Sequence, residues 1–97
     1  MLYTLLGAGI LIHIFMIPTI GRVVIYNTTE EDRQKMRNHP NCNVQEKLPA
    51  IIVAVWGETE ISCVNLKVIC DGEMDLWKTS VSIGENEMNW NWPVISK

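Results

Sequence analysis

Acidic and basic side chains are missing from Met1 to Ile20, which reads MLYTLLGAGILIHIFMIPTI. A run with no charge to solvate fits a membrane-spanning helix. At 1.5 Å per residue, Leu2 to Ile20 covers about 28 Å against a hydrocarbon core of about 30 Å. The features of a cleaved secretory signal are missing too. Met1, Leu2 and Tyr3 carry no base, the apolar run exceeds the roughly 7–15 residues of such a signal, and no A-x-A pattern closes it. The expectation is an uncleaved signal-anchor, single-pass, with the chain localised to a membrane.

Bases are sparse elsewhere. Eight Lys and Arg against eleven Asp and Glu leave a net charge of −3. The cations are neither clustered nor interleaved with aromatics, which argues against a nucleic-acid partner. Catalytic signatures are lacking: there is no H-E-x-x-H, P-loop or G-x-S-x-G, and no paired carboxylates lie in an apolar setting. No enzyme, no cofactor and no small-molecule substrate are therefore expected. Ninety-seven residues less an anchor leave about 75, room for one small domain.

Cysteine is limited to Cys42, Cys63 and Cys70, so at least one thiol has no partner in the chain. If Val64 to Ile69 is a continuous strand, Cys63 and Cys70 stand about 23 Å apart, far beyond the roughly 5.5 Å between Cα atoms of a disulfide. Cys42, in a flexible stretch, could reach either. One disulfide to Cys42 and three free thiols both fit the spacing. His39, Cys42, Cys63 and Cys70 are donors of the kind zinc accepts, but a C-x6-C pair on a strand is not structural-zinc spacing, and no metal site is expected. Asp71, Glu73 and Asp75 flank Gly72 in too short a run for a calcium loop; a charged hairpin tip is the simpler reading.

Within the anchor, Thr4, His13 and Pro18 break the apolar pattern. His13, near the midplane, reads as neutral and hydrogen-bonded to a neighbouring helix, as packing glue rather than a proton relay. Pro18 clashes with the carbonyl of Ile14 and kinks the last turn. Gly7 and Gly9 offer a thin patch for close helix approach. These four residues are the helix-packing candidates.

Residues 1–26 thus form the anchor with an interfacial extension from Val23 to Tyr26, and residues 27–48 a polar helix and linker. Thr28 followed by Glu31 has the spacing of a capping box, with acids opening the helix and bases closing it. Residues 49–97 form a small β-domain with a Trp-rich tail. Ala50 to Trp56 reads as a strand buried on both faces. Glu60 to Cys70 alternates, with Val64, Leu66 and Val68 on one face. After an Asp71-Gly72 turn, Leu76 to Ile83 alternates with Trp77, Thr79, Val81 and Ile83 on one face. Trp90, Trp92, Val94 and Ile95 make an apolar tail that adds a fourth strand or docks on a partner.

The fold class expected is a membrane-anchored α+β chain: one transmembrane helix, a short polar helix and an antiparallel meander of three to four strands. Arg22, Arg33, Lys35 and Arg37 place the domain on the positive-inside face. The function expected is that of a non-catalytic accessory subunit of a larger membrane complex, with other membrane-protein subunits and the lipid bilayer as partners. The rival reading is a membrane-anchored ectodomain used in recognition, such as a small viral envelope or entry-complex component.

Overall fold

The computed structural model describes residues 4–6, 10–12 and 16–94. Thr4–Leu6 (β1) and Ile10–Ile12 (β2) pair antiparallel, with Thr4 opposite Ile12 and Leu6 opposite Ile10. Extended backbone stands at these positions, where a helix was expected. Among the described residues, no helix is long and apolar enough to cross a membrane.

The far end of the apolar run belongs to the folded domain. Met16 and Pro18 are buried with the core, Met16 at 3% exposure. Pro18 lies in extended chain rather than kinking a helix; its missing N–H removes no helical bond there. Gly21, at φ +94°, turns the chain into Val23–Asn27 (β3). This segment is a strand and not an interfacial helical extension. Its β-branched residues suit the pleat, and Val24 and Tyr26 point inward while Val23 is 52% exposed.

Glu30–Arg37 (α1), Lys47–Trp56 (β4), Cys63–Ile69 (β5), Asp75–Val81 (β6) and Trp90–Asn91 (β7) follow. The sheet is five-stranded and antiparallel in the order β6-β5-β4-β3-β7, one strand beyond the meander expected. Two expected helical or linker segments, Val23–Asn27 and Lys47–Pro49, are recruited into it, pairing Ile25 with Pro49 and Asn27 with Lys47. Pro49 is tolerated because β5 joins β4 only from Ala50, opposite Val68.

The sheet curls until its edges touch. Beyond β6, Ile83 bridges Trp90 in parallel, with the Trp90 amide donating to Ser82 O at 3.0 Å and the Gly84 amide to Trp90 O at 2.9 Å. β6 and β7 thereby meet, and the result is a partly closed barrel. Inside lie Val24, Tyr26, Ala50, Ile52, Val64, Leu66, Val68, Val81 and Trp90, each at most 1% exposed.

Two bulges drive the curl, and both centre on Asn65. Ile52 pairs with Leu66 but Ala54 with Asn65, so Val53 is extra in β4. Leu66 pairs with Lys78 but Val64 with Val81, so β6 also carries an extra residue. Ser80 takes φ 53° to make that bulge, and Asn65 Oδ1 accepts from its amide at 2.9 Å. The bulge corrects the alternation read from sequence. Trp77 and Thr79 face out, Val81 faces in, and the four residues expected on one side are split between two.

Helix α1 is capped one residue later than its spacing suggests. Thr29, not Thr28, is the N-cap, accepting from the Asp32 amide at 3.1 Å while Asp32 Oδ2 accepts from the Thr29 amide at 3.0 Å. Thr28 is buried instead, and its hydroxyl lies 2.9 and 3.0 Å from the Gln45 and Glu46 carbonyls. Met36 is the helix's apolar contribution to the core, fully buried as the sole apolar residue of α1 must be.

Candidate functional site

The outer face of the barrel carries the feature least explained by folding. Register places Val23, Ile51, Lys67 and Trp77 side by side across four strands. Residues opposite one another on a sheet face lie about 4.5–5.5 Å apart at Cβ, so the four make one continuous file. Val23 and Trp77 are exposed at 52% and 64%, and Ile69 and Val53 flank them in the open. Trp56, 60% exposed, lies further along the same face, its indole Nε1 donating to Asn65 Oδ1 at 2.9 Å. The reading of β4 as buried on both faces is thus corrected, because only its inner face is covered.

Beside this face, where β3 meets β7, an open groove of about 880 Å³ is lined by Ile25, Lys47, Ile83, Glu85, Trp92 and Val94 among others. Its walls mix apolar surface with one base and one acid. Lys47 Nζ is held at 2.9 Å by Asn27 Oδ1. Asn27, whose N-x-T context matches a glycosylation acceptor, is 8% exposed and its Nδ2 donates to Asn86 O at 3.2 Å, so this amide is committed to the fold.

Among the described residues, one buried charge cluster spans the barrel mouth between non-adjacent strands. Asp32 of α1, with 0% exposure, accepts from the Tyr26 hydroxyl of β3 at 2.7 Å and faces Lys78 Nζ of β6 at 2.5 Å. Burial alone would raise the Asp32 pKa. Lys78, the Thr29 amide and the Tyr26 hydroxyl together outweigh burial and hold it below the usual carboxylate range. Burial, then Asp32, push the Tyr26 phenol well above its ordinary value. A carboxylate held by three partners at 0% exposure is closed to a substrate arriving from solvent. It pins α1 to the barrel.

The tail expected to dock is mostly core. Trp90 is fully buried and Trp92 is 9% exposed, packed edge to face at 5.2 Å between ring centroids, with the Arg22 guanidinium 5.7 Å above Trp92. Their area is spent on closing the barrel, so they cannot also be offered to a partner. Val94, at 91% exposure, is free of the core, and Ile95 lies outside the described residues. His13, Gly7 and Gly9 lie outside them as well. Trp56 and Trp77 replace the tail as a surface, and the outward turn of Trp77 could have been found by weighing a bulge at Thr79–Ser80 that breaks its alternation with Val81.

The three thiols are unbridged in the structure. Cys63 sits on the outer face with its Sγ 3.5 Å from Ser82 Oγ, whereas the half-buried Cys42 has its Sγ 3.6 Å from Asn43 O and Cys70 is buried. Among the described residues, no three His, Cys, Asp or Glu side chains stand close enough to hold a metal ion. No family model, curated protein or solved structure matches the chain.

Proposed function

We propose that this chain is a non-catalytic accessory subunit of a multi-protein assembly, docking through the outer face of its barrel. The observation that carries this is the exposed file Val23–Ile51–Lys67–Trp77. Val23 and Trp77 stand exposed and Ile51 half-buried in one register with Lys67, apolar surface that the described residues leave uncovered, and large exposed apolar patches mark interaction surfaces. Lys67, in the middle of the file, has no ion-pair partner among the described residues. The partner that fits is a protein surface with an apolar strip and an acidic side chain opposite Lys67. Inward-facing Trp90 and Trp92 fit the subunit reading better than a recognition ectodomain that displays them.

The test is quantitative co-purification of the tagged full chain, wild type against Trp77→Ser and Lys67→Glu. A central aromatic anchor typically contributes about 2 kcal/mol or more, roughly thirtyfold in affinity. Both variants should lose the same stoichiometric partner while keeping the wild-type thermal midpoint. Undiminished retention of that partner by Trp77→Ser would overturn the docking face. The anchor reading for residues 1–20 is tested separately by flotation of the full chain on liposomes: migration with lipid supports a membrane complex, and sedimentation away from lipid removes the membrane from the proposal.

A further inference from the structure

Cys42 and Cys70 lie far apart in the chain but on one short ladder. The loop after α1 pairs with the turn after β5 through an antiparallel bridge between Cys42 and Gly72. The Asn43 amide donates to Asp71 O and the Glu73 amide to Asn41 O, each at 2.9 Å. The flanking side chains repeat the pairing: Asn43 Nδ2 donates to Asp71 Oδ2 at 2.9 Å and Asn41 Nδ2 to Glu73 Oε2 at 2.6 Å. Four bonds thus hold the register of Cys42 from both sides.

Gly72 permits the approach. A Cβ on it would stand 2.2 Å from Asn41 O and 2.5 Å from Cys42 Cα, both backbone atoms. Its amide donates back to Cys70 O at 3.0 Å, a tight reversal that brings Cys70, two residues earlier, toward Cys42. Cys70 belongs to the core cluster, and the partly buried Cys42 packs against that same cluster. Cys63 is remote from them, on the outside of β5.

We infer that Cys42 and Cys70 form a reversible disulfide that fastens the loop after α1 to the β5–β6 turn, with Cys63 remaining a free thiol. The oxidant is a disulfide donor of the glutathione class. The Cys42 thiolate, the more exposed of the two, attacks one sulfur of the donor. The donor S–S bond breaks, and one half leaves with the electron pair and takes up a proton. The Cys70 thiolate then attacks the Cys42 sulfur, displacing the second half as a thiol. The protein loses two protons and two electrons, and the donor becomes two thiols. Burial, then Cys42, push the Cys70 thiol up to about 11, so the second step is slow at neutral pH and accelerates about tenfold per pH unit below that value.

The experiment equilibrates the folded full chain with a series of reduced and oxidised glutathione mixtures at pH 8.5, traps free thiols by alkylation, and maps linked peptides by mass spectrometry. A Cys42–Cys70 linked peptide with Cys63 alkylated, and a thermal midpoint raised by about 10 °C over the reduced chain, is the expected result. Cys63→Ser should leave that peptide unchanged. A persistent glutathione adduct on Cys42, a link that uses Cys63, or three alkylated thiols at the most oxidising ratio would each overturn it. None of these outcomes bears on the docking face, which lies on the other side of the sheet.

Discussion

Replacing Lys78 by methionine should expose how the Tyr26–Asp32–Lys78 cluster holds the helix to the barrel. The substitution keeps the aliphatic length of the side chain but leaves the Asp32 carboxylate, at 0% exposure, with the Tyr26 hydroxyl and the Thr29 amide and no cation. Removing one partner of a buried ion pair typically costs about 3–5 kcal/mol. An upper bound follows from protonation. A carboxylate stranded at pH 7 can take up a proton instead, at about 1.4 kcal/mol per unit across the roughly 3 units that separate pH 7 from its unfolded pKa, or about 4 kcal/mol. The expected penalty is therefore about 3–4 kcal/mol at pH 7, read from urea unfolding followed by tryptophan fluorescence. It should shrink as the pH is lowered toward 4, because Asp32 in the variant has a raised folded-state pKa and gains stability on protonation. Adding Asp32→Asn should recover most of the loss, since no buried charge then remains. A Lys78→Met penalty below about 1 kcal/mol, flat between pH 7 and 4, would refute the assignment of Asp32 as a charged, cation-dependent anchor.

The wild-type chain should lose stability at both ends of the pH scale. Asp32 has a depressed folded pKa, so its contribution is complete above about pH 4 and is lost as the pH falls further. Cys70 and Tyr26 have raised folded pKa values, so the Cys70 contribution is complete below about pH 8.5 and is lost as the pH rises through 11, while that of Tyr26 is complete below about pH 10 and declines only above it. Thermal midpoints from pH 2 to 11 test this, and an acid limb that survives in Asp32→Asn would count against it. Gly72→Ala forces a Cβ into the Asn41 and Cys42 backbone and should destabilise by about 2 kcal/mol or more; a neutral result in thermal unfolding would show that the loop after α1 is not seated on the turn. Thr29→Ala should cost about 1 kcal/mol and Thr28→Ser less than that at the cap itself, since Thr29 alone makes the reciprocal bonds with Asp32. Equal losses at the two positions in helix-probe hydrogen exchange would contradict the assigned cap.

The middle of the fold was legible because its signals are local. Alternation in β5 assigned Val64, Leu66 and Val68 to one face, the acidic start and basic end of α1 announced a short polar helix, and Asp71-Gly72 marked its turn. The two ends were not legible, for a common reason. Val23–Asn27 follows an uncharged run with only one base at Arg22, and composition there reads as continuation of the run. What makes it a strand is pairing with Lys47–Ile51, a long-range event that no window of neighbours records. Trp90 and Trp92 likewise sit among polar residues, in the sequence ENEMNWNWP, and read as displayed side chains. They are core because β6 runs on through Ser82 and Ile83 to bridge Trp90, which requires the whole sheet to curl first.

That curl rests on a residue with no apolar surface to offer. Asn65 occupies an outward position on β5, flanked on both sides by strands, where a β-branched residue would add propensity, yet its Oδ1 accepts from both the Ser80 amide and the Trp56 indole at 2.9 Å. Without that acceptor the Ser80 amide, turned by a positive φ away from its ladder partner, faces water, and the left-handed Ser80 backbone loses the contact that offsets its strain. Asn65→Val should therefore destabilise by about 1–2 kcal/mol despite raising strand propensity, while Asn65→Asp, which keeps the acceptor, should cost less. The effect should also be directional. If Asn65 sets the two bulges, Asn65→Val raises the exchange of the Trp90 amide, which closes the barrel on Ser82 O, more than that of the Ala50 and Val68 amides in the unbulged part of the sheet. Uniform acceleration of all three would mean that Asn65 is an ordinary surface polar residue and that closure of the barrel is driven by Trp90 alone.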